Sequence, residues 1–161
     1  MDSRIRDIAP IATRRLFDVV VDLDAPLSIG GPLGQRVLFR AVGGTFEGER
    51  LRGEVVSGGG DWAVFRADGA MVLDVRVTLR AEDGALVQMS YGGRWIMPGD
   101  IRAEIGNPAT RHLVDPSRYY FRTAPSFETG ARNYLWLNDI VCVGSGYPVE
   151  NGVAYRVFEV L

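Results

Sequence analysis

Histidine and cysteine occur once each, as His112 and Cys142, and that scarcity removes several chemistries at the outset. A Ser-His-Asp triad would have to be built on His112. A Cys-His nucleophile would need this one pair to meet in space, and a structural zinc site needs four Cys/His ligands. One cysteine cannot form an intramolecular disulfide. The net charge of -2 gives no basic footprint for nucleic acid, and no polybasic run suggests a membrane surface. No apolar stretch approaches the roughly 20 residues that span a bilayer, and the opening MDSRIRDIAP lacks the apolar core of a secretory signal. The expectation is a cytoplasmic protein with Cys142 reduced, with no metal, no cofactor, no nucleic-acid partner and no membrane partner. Any catalysis is left to carboxylates, arginines, tyrosines and shape.

What is abundant is glycine, 20 residues in a chain of 161. It falls as punctuation (Gly30-Gly31, Gly43-Gly44, Gly58-Gly59-Gly60, Asp68-Gly69, Asp83-Gly84, Gly92-Gly93, Asn151-Gly152) between runs rich in Val, Leu, Phe and Tyr. Short β-like runs separated by turn signals indicate an all-β sandwich or barrel. Strands are expected near 14–23, 35–41, 45–56, 61–67, 70–81, 85–92, 118–124, 134–144 and 153–161. Within them Val75, Val77 and Leu79 oppose Asp74, Arg76 and Thr78, and Phe17, Val19 and Val21 oppose Asp18 and Asp22. The last run can pair back with the first and close the sheet, which removes its exposed edges. The expected domain is a single closed or nearly closed antiparallel β-barrel over 14–161, of about nine or ten strands, preceded by an N-terminal arm over 1–13. Residues 97–117 have no period of two. They are expected to form a long loop or short helical flap, with Asp100 capping a helix across Ile101–Ile105 and with Ile101, Ile105 and Leu113 packed over an opening.

Several strings recur in a fixed order: Gly43-Gly44-Thr45-Phe46-Glu47-Gly48, Gly59-Gly60-Asp61-Trp62, and Asp68-Gly69 before Leu73-Asp74-Val75-Arg76. Then come Tyr120-Phe121-Arg122-Thr123-Ala124-Pro125 with Phe127-Glu128-Thr129-Gly130, and Tyr134-Leu135-Trp136-Leu137-Asn138 before Val143-Gly144. Together they resemble an uncharacterised family of small β-barrels (domain of unknown function 3237), from about residue 14 to the C-terminus. The resemblance implies an antiparallel, calycin-like barrel and brings no settled activity. The 97–117 segment carries none of these strings.

The candidate residues are therefore argued from their chemistry. Asp74 and Arg76 share one face of a strand; turned inward they would form a paired charge site, turned outward a solvated stripe. The inward reading is preferred, with Val75, Val77 and Leu79 packed against another layer. Asp61 follows three glycines and reads either as a turn residue or as an acceptor and base beside a loop that a ligand can approach closely. Arg122 and Glu128 bracket a Thr-Ala-Pro-Ser-Phe turn. They form either a hairpin-end salt bridge or an oxyanion-stabilising arginine with its orienting carboxylate. Asn138 can anchor a ligand carbonyl or tie down a loop. Trp62, Trp95, Trp136, Tyr91, Tyr119, Tyr120, Phe121 and Phe127 can fill the core or wall a pocket, with Trp62, Tyr91, Phe121, Phe127 and Trp136 taken as the substrate-binding candidates. His112 reads mainly as a surface residue, and Cys142 as an inert core thiol. The glycine loops lack the Lys-Ser/Thr ending of a phosphate-binding P-loop.

The leading reading is a cofactor-independent isomerase, cyclase or lyase acting on a small apolar or aromatic carbonyl compound in the lumen. Asp61, Asp74 or Glu128 would be its base, with Arg76 or Arg122 stabilising the developing oxyanion. The alternatives are a binding protein for a small hydrophobic ligand, and a scaffold whose exterior forms a homodimer.

Overall fold

In β5 (Met71–Ala81) the alternation read from the sequence becomes a wall with an inside and an outside. Val75, Val77 and Leu79 are buried at 4%, 2% and 0% exposure, whereas Asp74 and Arg76 face solvent. The computed structural model describes residues 2–161. The remaining strands are β1 (Thr13–Leu23), β2 (Leu27–Ser28), β3 (Gln35–Glu47), β4 (Arg52–Phe65), β6 (Leu86–Ile96), β7 (Tyr120–Glu128), β8 (Cys142–Val149) and β9 (Gly152–Val160). All pair antiparallel in the order β1-β9-β8-β7-β6-β5-β4-β3-β2, and β1 also pairs with β3. That last pairing closes a barrel of eight strands, with the two-residue β2 appended to the edge of β3. Residues 2–12 lie outside the wall and carry no strand.

The strand boundaries depart from expectation at several places, three of which shape the barrel ends and its seam. Gly43-Gly44 is not a turn: β3 runs through it with a register shift. Gly44 has φ +135°, and a Cβ there would lie 2.1 Å from the Val20 carbonyl oxygen. The glycine therefore permits the close approach of β1 to β3 at the seam. Gly58-Gly59-Gly60 likewise sits inside β4, where the pairing with β5 shifts register. The strand expected at 134–144 begins only at Cys142; Arg132–Asp139 is a 3-10 helix whose Leu137 is fully buried against one end of the barrel.

The two ends of the barrel are filled differently. At the end covered by the 3-10 helix, Phe17 meets Phe46 and Phe127 at ring-centroid distances of 5.6 and 5.8 Å, and Leu79, Val87 and Val157 are buried to 0%. At the other end, where β4 and β6 finish and β5, β7 and β9 begin, the inward side chains leave a hollow of about 350 Å³. The segment between β6 and β7 lies over this hollow. It forms a short helix α1 (Arg102–Gly106) and two single 3-10 turns at Arg111–Leu113 and Pro116–Arg118. Ile101 and Ile105 are buried as expected, but Leu113 is 73% exposed and does not pack over the opening. Ile101 occupies the helix N-cap, with no side-chain capping bond; Asp100 instead lies 3.6 Å from Arg118. Arg102 donates to the carbonyls of Asp68 and Met97, fastening the segment to the β4–β5 turn and to the end of β6.

Candidate functional site

Asp61 projects from β4 into the hollow and is 8% exposed. It stands at a lapse on one side of β4: β4 and β5 pair at Asp61–Val75 and again at Val64–Val72, while Trp62 and Ala63 pair only with Leu38 and Val37 of β3. The Asp74 amide donates instead to Asp61 Oδ1 at 2.9 Å. No cation pairs with this carboxyl among the described residues. Burial pushes its pKa from 3.8 up to about 7; the Asp74 amide opposes the rise and the Asp74 charge adds to it. A carboxyl raised this far is suited to giving and taking protons near neutral pH.

Two tyrosines share this space. Tyr91 on β6 and Tyr155 on β9 are 5% and 3% exposed, with ring centroids 5.2 Å apart at 70°. Their hydroxyls interact with each other, and both feel the charge of Asp61. Burial raises both phenols above the ordinary range, so both remain protonated donors at physiological pH. Phe121 stacks on Trp95 at 4.7 Å and 9°, and meets Tyr155 edge-on at 5.5 Å. Gly146 on β8 makes room for this group: a Cβ there would lie 2.8 Å from Tyr155 and 3.0 Å from Phe121. The rest of the lining is almost wholly aliphatic or aromatic, including Val21, Phe39, Met71 and Val153. A carboxyl that exchanges a proton near neutrality thus stands beside two phenolic donors in an apolar chamber. That combination can abstract a proton from carbon and stabilise the negative charge that appears on a neighbouring oxygen.

Of the residues singled out from sequence, Asp61, Tyr91 and Phe121 come together here. The others lie elsewhere. Asp74 and Arg76 form an exposed pair at 3.3 Å on the outer face, because Val75, Val77 and Leu79 take the interior. The inward reading of this charge pair is therefore corrected. Arg122 and Glu128 also face outward and are not paired; the supposed turn between them is continuous strand, which sets them about 20 Å apart. Arg122 donates to the Phe121 carbonyl and to Ser145 Oγ. Trp62 is on the outer face, where its carbonyl accepts from Arg36. Phe127 is buried in the packed half against Phe17. Trp136 and Asn138 belong to the 3-10 helix at the far end. Arg50 lies over the Trp136 ring at 3.8 Å, and Asn138 exchanges hydrogen bonds with the Thr129 backbone, tying the helix to the end of β7. Cys142 is buried, and burial pushes its thiol up to about 11, so it is not a nucleophile. His112 is half-buried on the covering segment and does not line the hollow.

Trp95, one of the aromatics offered as pocket walls, lines the hollow, and Tyr155 and Arg111 line it without having been assigned to the site from sequence. For Tyr155 a signal was present: it alternates with Arg156, which pairs outside with Asp18 at 2.8 Å. Among the described residues no three His, Cys, Asp or Glu side chains gather as a metal-ligand set, and no helix is long and apolar enough to cross a membrane.

Residues 11–160 match the family model described as "Protein of unknown function (DUF3237)". The chain belongs to this family. A family relative, the UPF0311 protein RPA1785 of Rhodopseudomonas palustris, is 30% identical over 154 residues, covering 94% of this chain and 97% of its own. Its crystal structure, that of a conserved protein of unknown function, covers 96% of this chain and all (100%) of its own, with a TM-score of 0.88. A structure titled as a beta-barrel like protein from Acinetobacter baumannii AYE is 31% identical, covers 96% and 99% of the two chains, and has a TM-score of 0.82. An enzyme from Penicillium herquei, 19% identical and covering 97% and 98%, shares the fold with a TM-score of 0.69. The DUF3237 family thus fixes the architecture, an antiparallel barrel, and leaves the activity to be argued from the hollow.

Proposed function

We propose that the hollow is the site of a cofactor-independent acid–base reaction on a small, apolar or aromatic carbonyl compound, of the isomerase, cyclase or lyase type. The observation that carries this reading is Asp61: a carboxyl without a cationic partner, held in an apolar chamber, with its pKa raised to about 7 and two protonated phenols beside it. Such a group lowers stability where it stands, and perturbed carboxyls in clefts concentrate at working sites. The ionised Asp61 removes a proton from carbon next to the substrate carbonyl. The electron pair moves onto the carbonyl oxygen, where a hydroxyl of Tyr91 or Tyr155 donates to it. Asp61, now protonated, returns the proton at the same or another carbon; in a ring closure the enolate carbon adds to a second carbonyl of the same molecule, whose oxygen takes the proton from Asp61, and in a lyase reaction the group on the next carbon departs with its bonding pair and takes that proton. The chain contains no lysine, so a lysine Schiff base has no part in activating the carbonyl, and the buried Cys142 thiol supplies no nucleophile.

The apolar lining also favours a second reading, a carrier that binds without turnover. One experiment separates the two. Small bicyclic ketones that suit the hollow, 1-indanone and 1-tetralone, are incubated with the protein in deuterated water, and deuterium at the carbon beside the carbonyl is followed by NMR. The expected result is exchange well above the buffer rate, reduced by about 100-fold or more in Asp61→Asn. Ketones that bind yet exchange no faster than in buffer would make the protein a carrier and remove the acid–base reading.

A further inference from the structure

At the covered end of the hollow the lining carries a second kind of polar group. Arg111, on the 3-10 turn that follows α1, lines the hollow and is half-buried. Its position is set by the backbone: the Arg111 amide donates to the Asn107 carbonyl at 2.9 Å, and the Asn107 side chain accepts from the Ala109 amide. Among the described residues Arg111 forms no ion pair, and its Nε is buried without an acceptor. Many arginines elsewhere in this chain find a carboxylate, including Arg14, Arg40, Arg80, Arg118 and Arg156. Trp95, which also lines the hollow and is 8% exposed, has a buried Nε1 with no acceptor. The two remaining buried polar atoms without partners are His112 Nδ1 and Tyr119 Oη. His112 adjoins Arg111, and the Tyr119 ring meets Trp95 at 5.7 Å. Buried polar groups without partners are costly, and two of these, Arg111 Nε and Trp95 Nε1, belong to residues that line one chamber.

Two further facts fix what is missing. Trp Nε1–H and Arg Nε–H can only donate, so the absent partner is an acceptor. Asp61 projects from β4 and Arg111 from the covering segment, and among the described residues no ion pair joins the two across the hollow. A single ligand can meet both only if it carries an anionic acceptor at one end and its reacting carbon at the other.

We propose that Arg111 is an anion anchor, aided by Trp95 of the same lining, and that the hollow takes a small aromatic carboxylate. This rests on the reading of the hollow as a ligand site and names the class of its occupant. The carboxylate accepts from the Arg111 guanidinium at the covered end, the ring lies among Phe121, Trp95 and Phe39, and the opposite end reaches Asp61.

The test compares 2-naphthoate with its uncharged isostere 2-naphthamide by calorimetric titration at pH 8. Wild-type protein is expected to bind the acid about tenfold more tightly than the amide, or better, since a charge-assisted hydrogen bond outweighs a neutral one. Arg111→Gln should erase that preference, weakening 2-naphthoate far more than 2-naphthamide in a protein that still unfolds cooperatively, and Arg111→Lys should keep part of it. Equal binding of the two compounds by wild type, binding of neither, or an undiminished preference in Arg111→Gln would each overturn the anchor. Loss of ketone exchange with the naphthoate preference intact would sink the acid–base reading and leave the anchor standing.

Discussion

Replacing Asp61 by asparagine should make the protein more stable, and only at the alkaline side of a defined window. The folded chain holds the Asp61 proton with a pKa of about 7, against 3.8 for the ordinary carboxyl. Between those two values the folded state keeps a proton that the unfolded state has released, so stability falls as pH rises. The contribution is fully present below 3.8 and is lost once pH passes about 7. A shift of about 3 pH units, at about 1.36 kcal/mol each, amounts to roughly 4 kcal/mol. That is a large share of the 5–15 kcal/mol by which a domain is ordinarily stable. Asparagine retains an oxygen that can accept from the Asp74 amide and has nothing to ionise. Asp61→Asn should therefore gain about 4 kcal/mol over wild type as pH is raised from about 4 to 8. Urea unfolding at half-unit steps of pH, with linear extrapolation, measures the difference. Other titrating carboxyls do not blur it. Asp18, bonded to Arg156, and Glu159, bonded to Arg14, are held below their ordinary values. Their contributions are lost only as pH falls below that range, and alike in both proteins. A wild-type-to-mutant difference that stays flat from pH 4 to 8 would refute the placement of this carboxyl in an apolar chamber.

Two further substitutions test the surroundings of Asp61. Gly146→Ala sets a methyl group against Tyr155 and Phe121; it should destabilise by about 1–3 kcal/mol and weaken binding of 2-naphthamide by pressing those rings into the hollow, and unchanged affinity would show that the rings do not bound the ligand. Asp74→Asn removes an exposed charge that raises the Asp61 pKa. Its stability should change by less than about 1 kcal/mol, while the pH profile of ketone exchange moves to lower pH; an unmoved profile would mean that Asp61 does not set it.

How much of this was legible in the chain depends on the range over which each signal acts. The alternation of β5, the return of β9 to β1 and the hairpin turns at Asp68-Gly69 and Asp83-Gly84 are local or end-to-end patterns, and they specify the barrel. Asp61 stood out because three glycines precede it. The alternation of β5 separates its two faces without stating which is inside, and the inward reading gave the wrong face to Asp74 and Arg76. Burial energetics decides the opposite: three aliphatic side chains inside and a solvated ion pair outside is the favourable arrangement. The Tyr91–Tyr155 pair could not be read from sequence, since strands far apart in the chain are brought together only by closure. Arg111 lies on a segment with no period, so nothing in the sequence states which way it faces.

The division of the barrel into a packed half and a hollow half accounts for how such a site persists. Phe17, Phe46, Phe127 and Leu137 fill one end, where register is fixed by an unbroken aromatic and aliphatic core. That end can sustain the other, in which a carboxyl is desolvated, four polar atoms go without partners and the strand pairing lapses beside Asp61. Each of those features is unfavourable alone, and all lie on the walls of the hollow or in the segment that covers it. Register shifts occur at both ends, but the desolvated carboxyl and, among the described residues, the unpartnered buried side-chain atoms fall on this one, as the proposed ligand chamber would have them.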